Sequence, residues 1–371
     1  MFRMKTIDDI RAIVYERGDR DSEVVSRFLS KGKFDVVEYD EHEGPGEAIE
    51  ELKRAGVSSK EAVILKRFMG RMVQKCPGSR GMICCNYRLL NIGFNCLYDC
   101  AYCFLNYYLN SFGIVQFIDV DRSLLMQESC VSSGSGMVRR VGTGEYTDSL
   151  MLDDVTGIGA SLIRAAARMP GVFLEFKTKS DNVAHLLDIK NKGTAVLAWT
   201  LNTPDCIERY EAGTASLDRR LEAAAAASRA GYLVAFHFDP IILSCGDATE
   251  YLELADRAFA CVDRERVAWV SLGCFRYSPG FKEFSRHAPA CSGLTSMEMF
   301  PGDDGKYRYF RPTRVAVYNA LIRRIRSLVP KAFVYFCMEP ASVWREVMGA
   351  RYGDSDELER AFSDHLKKHF M

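Results

Sequence analysis

From about residue 83 onward, short β-rich runs alternate with stretches of helical spacing, and this alternation is what most limits the fold. The predicted strands are 84–93, 137–144, 172–178, 195–202, 233–240 and 267–273. The predicted helices are 154–169, 181–190, 216–230 and 248–262. Repeated β–helix–β units imply a parallel sheet covered by helices. We therefore predict an α/β fold whose sheet is open or curled into a partial barrel, with functional groups at the carboxyl ends of its strands.

The chain is predicted to contain three regions. Residues 1–80 form a small N-terminal α/β domain, and the turn-forming CPGSRG at 76–81 marks its end. Residues 81–340 form the main domain, which includes a β-hairpin at 296–311 around the turn GDDG. Residues 341–371 form C-terminal helices. Within these regions, further predicted strands are 12–18, 34–40, 62–68 and 332–338, and further predicted helices are 22–32 and 313–328.

Charge and apolar content exclude several classes of protein. The 49 basic side chains balance the 49 acidic ones, so affinity does not rest on broad phosphate neutralisation, although a local basic strip stays open. The first residues lack the apolar run of a signal peptide. No stretch approaches the roughly 20 apolar residues that span a bilayer. We expect a soluble, cytoplasmic protein that does not contact membranes.

A triad of cysteines carries the clearest chemical signal. The chain has 13 cysteines, an odd number that argues against a disulfide framework. Cys96, Cys100 and Cys103 are spaced C-x3-C-x2-C on one short segment. Three thiolates can ligate three irons of a cubane cluster and leave the fourth iron open. A zinc site is the alternative, but zinc usually takes four protein ligands, and no second cysteine pair follows at a suitable distance. The spacing favours a [4Fe-4S] cluster.

With Tyr102 before its last cysteine, the motif resembles the signature of the radical S-adenosylmethionine superfamily. The resemblance implies a TIM-like partial (β/α)6 barrel and a cluster whose open iron binds S-adenosyl-L-methionine. It also implies that one electron cleaves this cofactor into methionine and a 5′-deoxyadenosyl radical, which abstracts hydrogen from an unactivated C–H bond. A flavodoxin-like or ferredoxin-like electron donor is then an expected partner.

Within that superfamily the chain resembles the spore photoproduct lyase family, and specifically its relatives outside spore formers. The similarity runs through FKTKSDNVAHLLD (176–188), WTLNTPDCIERYEAGTASLDRRLEAA (199–224), the hairpin and VYFCMEPASVW (334–344). It implies a carbon–carbon lyase type of enzyme that acts on a nucleic acid or nucleotide-type substrate.

The predicted cofactor-binding residues follow the strand ends. The GTGE segment supplies Gly142, Gly144 and Glu145, because glycine permits close backbone approach and a carboxylate pairs with an ammonium group. A simple turn is the alternative for this segment. The family resemblance adds Thr147, Lys179 and Thr200 as contacts of S-adenosyl-L-methionine, with Lys179 on its carboxylate. Asn202 is a further polar residue at a strand end.

Two departures from the family affect the predicted catalytic residues. Glu145 occupies the position where the family has a hydrogen-donating cysteine, and Phe104 replaces a tyrosine of the hydrogen relay. We take Tyr102 and Cys130 as the catalytic candidates, with Cys130 as the substitute thiol. His237 is assigned a structural role, since lone histidines are more often structural.

Lys306, Tyr307, Arg308 and Arg311 follow the hairpin turn and are the candidate substrate-binding residues. Interleaved basic and aromatic side chains suit phosphates and bases. The alternative is a solvated edge hairpin, in which basic residues discourage aggregation.

Cys76, Cys84 and Cys85 precede the triad. They could form an auxiliary metal site or a redox pair. The interpretation we favour from sequence is that of buried residues on an entry strand, where adjacent side chains point to opposite faces.

Three functions stay open at this point. The first is a family-like enzyme that acts on nucleic acid. The second uses the same radical chemistry on a free nucleotide or another small metabolite, forming or rearranging a bond. The third is a metal- or nucleic-acid-binding protein without catalysis.

Overall fold

The computed structural model describes residues 3–109, 111–120, 136–349 and 351–371. Its first elements are β1 (Ala12–Glu16), α1 (Glu23–Ser30), β2 (Asp35–Tyr39), α2 (Gly46–Arg54) and β3 (Ala62–Lys66). Strands β2 and β3 pair in parallel with β1 on either side. The predicted strands and the first helix of this region are confirmed, and α2 is an additional helix.

Residues 73–117 connect this small sheet to the main one. Their elements are β4 (Val73–Lys75), β5 (Met82–Ile83), β6 (Arg88–Leu90), β7 (Gly93–Phe94), β8 (Asp99–Cys100), α3 (Leu105–Tyr108) and β9 (Ile114–Phe117). Strand β9 pairs with β3, and β7 pairs with β9, which gives the small sheet the order β2-β1-β3-β9-β7. The segment with the three cysteines therefore lies between two strands of the N-terminal sheet.

The rest of the described chain builds the main sheet and its cover. Its strands are β10 (Arg139–Gly142), β11 (Val172–Thr178), β12 (Ala195–Thr200), β13 (Glu211–Ala212), β14 (Leu233–Ile241), β15 (Val267–Cys274), β16 (Arg276–Tyr277), β17 (Met299–Pro301), β18 (Tyr307–Tyr309), β19 (Phe333–Phe336) and β20 (Glu339–Pro340). Its helices are α4 (Asp153–Thr156), α5 (Ile158–Ala166), α6 (Pro204–Tyr210), α7 (Leu217–Arg229), α8 (Ala248–Ala260), α9 (Pro279–Arg286), α10 (Arg311–Leu328), α11 (Ala341–Met348) and α12 (Ser355–Phe370).

The main sheet has the order β19-β15-β14-β12-β11-β10-β6-β4. All neighbouring pairs are parallel except β4 with β6 at one edge. The predicted α/β fold with a curled parallel sheet is confirmed. Strand β19 extends the six-stranded pattern by a seventh parallel strand.

Two of the predicted helices differ from the structure. The helix at 154–169 is divided at Gly157, whose φ of 67° ends α4. The prediction of a helix at 181–190 is wrong, because this segment contains only a 3-10 turn. The Ser180 hydroxyl accepts a hydrogen bond from the Asn182 amide at 2.8 Å. The Asn182 side chain donates to the Leu150 carbonyl at 3.0 Å. Such side-chain bonds to backbone compete with helix formation.

The strand predicted at 84–93 is also shorter than expected. Residues 84–87 are irregular, and Asn86 has a positive φ of 52°. The Asn86 amide donates to the Glu359 carboxylate on α12 at 2.7 Å, and the Cys84 amide donates to the Ser355 hydroxyl at 2.8 Å. Because α12 takes these bonds in place of a neighbouring strand, Cys84 and Cys85 do not lie on a strand. The expectation of two opposite strand faces is wrong.

The hairpin is confirmed, since β17 and β18 pair antiparallel across the turn. Strand β16 adds to the other side of β18 and makes a small three-stranded sheet.

The C-terminal helices pack against the main sheet. The Phe362 ring on α12 stacks on Phe333 of β19 with centroids 4.0 Å apart, and the Arg140 guanidinium lies 3.7 Å from the centroid of the same ring. Among the described residues, no helix has both the length and the apolar character that crossing a membrane requires.

A buried carboxylate organises the inner face of the main sheet. Glu175 on β11 forms hydrogen bonds with His237 Nε2 at 2.7 Å and with Trp269 Nε1 at 2.9 Å, and the Tyr87 hydroxyl donates to its other oxygen. Burial alone would raise the pKa of Glu175. The His237 imidazole and the Tyr87 hydroxyl outweigh this effect and hold the pKa at about 2. The histidine assigned a structural role thus has a carboxylate partner inside the sheet.

We predict that Glu175→Gln flattens the acid side of the stability profile. A carboxyl pKa normally near ~4.3 that falls on folding contributes stability above that pH, and the contribution is lost as the pH falls towards the folded pKa. The wild type should therefore lose roughly 3 kcal/mol more than the variant over this range, measured as free energy of unfolding in urea titrations. The matched control is Glu222→Gln on the exposed side of α7, which should follow the wild type. Parallel curves for Glu175→Gln and wild type would refute the assignment.

Candidate functional site

The cysteine loop is held from both sides. The Lys60 ammonium donates to the Tyr98 carbonyl at 3.2 Å and also to the Cys96 carbonyl. On the other side β8 pairs antiparallel with β13, which places Cys100 opposite Glu211. The loop is therefore fixed between the N-terminal sheet and the main domain.

Cys100 is buried, and Cys96 and Cys103 are half-buried. Burial raises the pKa of Cys96 to about 12, and burial also raises the pKa of Cys100 and of Cys103. Lys179 lies near Cys100 and Cys103 and interacts with both thiols. Burial by itself would lower the pKa of Lys179, but attraction to Cys100 and Glu211 raises it. Thiolates formed at this loop would therefore face a fixed cation.

Tyr102 joins a buried polar network. Its hydroxyl donates to Glu211, which forms an ion pair with Arg220 at 2.6 Å. Both partners of the pair are inaccessible to solvent. Arg220 also donates to the carbonyls of Thr200 and Ala215, each at 2.9 Å. The phenol of this predicted catalytic residue is thus engaged within the fold, directly beside the cysteine loop.

The glycines of GTGE are required by close packing. A Cβ on Gly142 would lie 1.3 Å from the Tyr87 hydroxyl, and a Cβ on Gly144 would lie 2.8 Å from the Lys177 carbonyl oxygen. Protein atoms therefore account for both glycines. Glu145 follows them at the mouth of the sheet and lines its inner cavity.

Asp148 ties this segment to the next strand. Its carboxylate accepts hydrogen bonds from the Thr178 hydroxyl and from the Lys179 amide, each at 2.7 Å. The neighbouring Thr147 is buried, with its hydroxyl 3.8 Å from the Met151 sulfur. These contacts bring the GTGE segment and Lys179 together at the carboxyl ends of β10 and β11.

Thr200 and Asn202, the two candidates at the carboxyl end of β12, differ in their contacts. Thr200 ends the strand opposite His237 of β14. Asn202 is fully buried, and its amide donates to the Pro240 carbonyl at 3.1 Å and accepts from the Tyr251 hydroxyl at 2.5 Å. The Asn202 side chain is therefore engaged by the protein itself.

A cavity of about 80 Å³ lies inside the curled sheet. Its charged and polar lining includes Glu145, Glu175, Lys177, His237 and Asp239. Its thiol lining is Cys76, Cys84, Cys85 and Cys337. Burial would lower the pKa of Lys177, but Glu145 and Glu175 raise it. The cavity thus combines a lysine that stays charged, several carboxylates and four thiols at the opening of the curled sheet.

The hairpin borders this cavity. The Lys306 ammonium donates to the Ser79 hydroxyl at 2.8 Å. The Tyr307 ring stacks on Tyr277 with centroids 5.3 Å apart and planes inclined by 12°. These two candidate residues lie at the rim of the cavity or beside it.

The other two hairpin candidates are paired within the protein. Arg308 is buried, and its guanidinium donates to the two Asp304 oxygens at 2.6 and 2.7 Å. Arg311 forms a surface ion pair with Glu346. Arg308 therefore braces the hairpin turn in this conformation, and Arg311 lies at the start of α10.

Cys130 lies outside the described residues.

A larger cavity, of about 450 Å³, lies at the amino-terminal end of β19. Its basic lining consists of Arg326, Lys331, Arg351 and Lys368. Because the strand carboxyl ends lie at the other end of the sheet, this cavity is separate from the site.

Sequence reasoning missed the residues that hold this site together. Lys60, Asp148, Glu211 and Arg220 act through contacts between segments far apart in the chain. The stretch 199–224 carried part of the family resemblance and contains both Glu211 and Arg220. The pairing of β13 with β8 determines which charged residues of the stretch 199–224 point into the interior. No local sequence pattern predicts that pairing.

The family model for spore photoproduct lyase matches residues 84–277, which is more than half of the chain. The chain belongs to the spore photoproduct lyase family. The matched range includes the cysteine loop and six of the seven parallel strands of the main sheet, from β6 to β15.

The chain shares low sequence identity with two bacterial members of the spore photoproduct lyase family. The chain is 26% identical over 171 residues to the spore photoproduct lyase of Bacillus subtilis (strain 168), covering 46% of this chain and 50% of that protein. It is 28% identical over 160 residues to that of Geobacillus sp. (strain Y412MC61), covering 43% of this chain and 47% of that protein. The chain thus spans about half the length of the curated relatives it matches.

Solved structures of spore photoproduct lyase share the fold. A cysteine-to-alanine variant with dinucleoside spore photoproduct matches 88% of this chain and 98% of its own, with a TM-score of 0.73 and 22% identity. A double variant with bound AdoMet and dinucleoside spore photoproduct matches with the same coverage and TM-score. The similarity supports the fold over nearly the whole chain.

We predict that Arg220→Met lowers the free energy of unfolding by roughly 3–5 kcal/mol, because it leaves Glu211 charged and unpaired in the interior. The matched control is Arg219→Met, one residue earlier, whose half-exposed side chain pairs with Asp181 and should contribute at most ~1 kcal/mol. Urea unfolding followed by circular dichroism measures both changes. Equal losses for the two variants would contradict the role of the buried pair.

Proposed function

We propose that this chain is a radical S-adenosyl-L-methionine enzyme, with Cys96, Cys100 and Cys103 as the ligands of a [4Fe-4S] cluster. The observation that carries the proposal is the placement of one buried thiol, Cys100, and two half-buried ones on one anchored loop beside Lys179. When bound, such a cluster supplies the electron that cleaves S-adenosyl-L-methionine into methionine and a 5′-deoxyadenosyl radical.

The donor set fits this group. Thiolates are the ligands that iron–sulfur clusters take, and the neighbouring Lys179 offsets their charge. Among the described residues, no three cysteine, histidine or carboxylate side chains already surround a metal-sized position. Ligation would require the three thiols to rotate towards a common centre.

The residues around the loop suit the polar ends of S-adenosyl-L-methionine. Lys179 is a half-buried cation that would pair with its carboxylate, and Glu145 is a carboxylate that would pair with its amino group. Thr147 and Thr200 would complete the polar contacts. The solved family structure with bound AdoMet supports this choice of cofactor.

For the substrate, we infer a nucleic acid or a nucleotide. The family structures hold a dinucleoside photoproduct. In this chain the Tyr277–Tyr307 stack with the Lys282 ammonium 5.9 Å from the Tyr307 ring provides an aromatic and cationic surface, and such surfaces suit bases and phosphates. A small one-electron donor protein of the flavodoxin or ferredoxin type would supply reducing equivalents.

A second candidate function keeps the radical chemistry and changes the substrate to a free nucleotide or another small metabolite. The observation that favours it is that Glu145 and Phe104, which stand where the family resemblance places a cysteine and a tyrosine, point away from dimer repair.

We predict that the anaerobically reconstituted chain forms 5′-deoxyadenosine from S-adenosyl-L-methionine and dithionite, whereas Cys100→Ala does not. The alanine removes one of three iron ligands. The matched control is Cys261→Ala, which removes a half-buried thiol at the end of α8 and should retain product formation. Chromatography quantifies the product, and electron paramagnetic resonance reports the cluster. Equal product from wild type and Cys100→Ala would refute the ligand assignment.

We predict that Lys306→Ala weakens binding of a single-stranded oligothymidylate and makes the slope of log affinity against log salt shallower by about 0.7, the value of one phosphate contact. Fluorescence anisotropy at several salt concentrations measures the slope. Lys331→Ala is the matched control, since Lys331 lies at the other end of the sheet and its loss should not change the slope. Equal slopes for Lys306→Ala and wild type would exclude a phosphate contact at Lys306.

A further inference from the structure

The larger cavity lies at the end of the main sheet that is opposite to the proposed site. Its volume of about 450 Å³ falls within the ~300–1,000 Å³ of sites that bind small molecules. Three segments of the chain surround it: the turn between α10 and β19, the connection between α11 and α12, and the last turns of α12. This cavity therefore has the size of a ligand site but no role in the radical chemistry proposed above.

Each of the three segments brings a cation to this cavity. Arg326 lies in the last turn of α10, Arg351 in the connection that follows α11, and Lys368 near the end of α12. Burial raises the pKa of Tyr352, and the guanidinium groups of Arg351 and Arg326 both oppose this rise. The two arginines, which come from different segments, therefore lie close enough to act on the same phenol.

The protein does not neutralise these three cations. Within the part of the chain that the structure describes, no carboxylate forms an ion pair with Arg326, Arg351 or Lys368. The Arg326 guanidinium donates to the Met348 sulfur at 3.3 Å. Because a thioether is a weak acceptor without charge, this contact orients the guanidinium and leaves its positive charge uncompensated.

The other charged residues of the lining do not cancel this excess. Lys331 differs from the three cations, because it forms an ion pair with Glu265 at the surface. Asp364 is the carboxylate among the lining residues. One negative charge thus stands against three unpaired positive charges, and the cavity carries a positive potential that favours an anion.

Helix ends explain part of this charge distribution but not all of it. Cations are favoured in the last turn of a helix, and Arg326 and Lys368 occupy such positions. Arg351 lies outside any helix, and Lys367, which is also in the last turn of α12, does not line the cavity. The convergence of three cations on one concave surface therefore indicates a site for an anion with several charges.

Aromatic rings line the cavity beside the cations. The centroid of the His365 ring lies 5.3 Å from that of Phe333 and 4.6 Å from that of His369. Burial, His369 and Lys368 lower the pKa of His365 to about 4, so this ring is uncharged at neutral pH. Nucleobases stack on rings of this kind. A ligand that suits the whole cavity therefore combines a flat ring with several negative charges.

We propose that this cavity binds a nucleoside diphosphate or triphosphate, with the phosphates on Arg326, Arg351 and Lys368 and the base against the His365 ring. Guanidinium and ammonium groups form strong, charge-assisted hydrogen bonds with phosphate oxygens. The site is independent of the proposed radical function, because none of these residues belongs to the cysteine loop or to its neighbours.

Isothermal titration calorimetry of the full chain tests this site, with ATP as the probe. Adenosine and inorganic tripolyphosphate, titrated separately, distinguish the base from the phosphates. ATP should bind at least about tenfold more tightly than either compound, since each of them lacks one half of the contacts. Absence of saturable ATP binding would overturn the proposal. Equal affinities for ATP and tripolyphosphate would overturn the assignment of a nucleoside ligand.

A pair of neighbouring lysines locates the binding. Lys368→Gln should raise the ATP dissociation constant about tenfold, which is the value of one hydrogen bond between charged groups. The matched control is Lys367→Gln, which removes the same charge from the same helix end but lies outside the cavity. Both lysines are exposed, so neither substitution disturbs the core. Equal dissociation constants for the two variants would overturn the proposal.

A further comparison separates this cavity from the hairpin and from nucleic acid. Lys368→Gln should leave the salt dependence of oligothymidylate binding unchanged. A shallower slope in this variant would indicate a contact with a nucleic-acid backbone and would overturn a free nucleotide as the ligand. Loss of ATP binding in Lys306→Ala, with Lys368→Gln unchanged, would place the nucleotide at the hairpin and would also overturn the proposal.

Discussion

The buried ion pair between Glu211 and Arg220 is the contact on which the site depends. It joins the cysteine loop, through Tyr102 and the β8–β13 pairing, to the end of β12, through the Thr200 carbonyl. A buried pair of this kind adds little net stability compared with apolar residues, but losing one partner is strongly destabilising. Its value here is geometric. The loop has no regular structure of its own beyond two short elements, so its position relative to the main sheet follows from this pair and from Lys60.

Buried charge pairs also fix the inner face of the main sheet. Glu175 with His237, and Asp239 with Arg276 at 2.9 Å, place paired charges along neighbouring strands. Lys177 is exceptional among the described charges of this face, because it stays charged among several carboxylates without a single dedicated partner. The inner face thus combines paired charges on neighbouring strands with Lys177, whose charge is shared among several carboxylates.

Much of this architecture could be predicted from the sequence, for identifiable reasons. The strand from 172 to 178 and the helix capped by Ser216 follow from local periodicity and capping, and both are present. The triad was visible because its residues are close in the sequence. The prediction of a helix at 181–190 was wrong because the side chains of Ser180 and Asn182 form hydrogen bonds with backbone groups. Hydrophobic periodicity gives no information about such bonds. The burial of the Glu211–Arg220 pair follows from the pairing of β13 with β8, and Cys337 joins Cys76, Cys84 and Cys85 from a distant segment, so residue spacing predicts neither arrangement.

The boundaries of the family match explain which parts of the chemistry the resemblance predicts. The cysteine loop, the GTGE segment and Lys179 all lie within residues 84–277. Cys76 and Cys337 lie outside that range, and Cys84 stands at its first residue. Within the range, Glu145 and Phe104 carry neither a thiol nor a hydroxyl. The matched range therefore contains the residues proposed to hold the cluster and its cofactor, whereas two of the four cavity thiols, Cys76 and Cys337, come from the flanking segments.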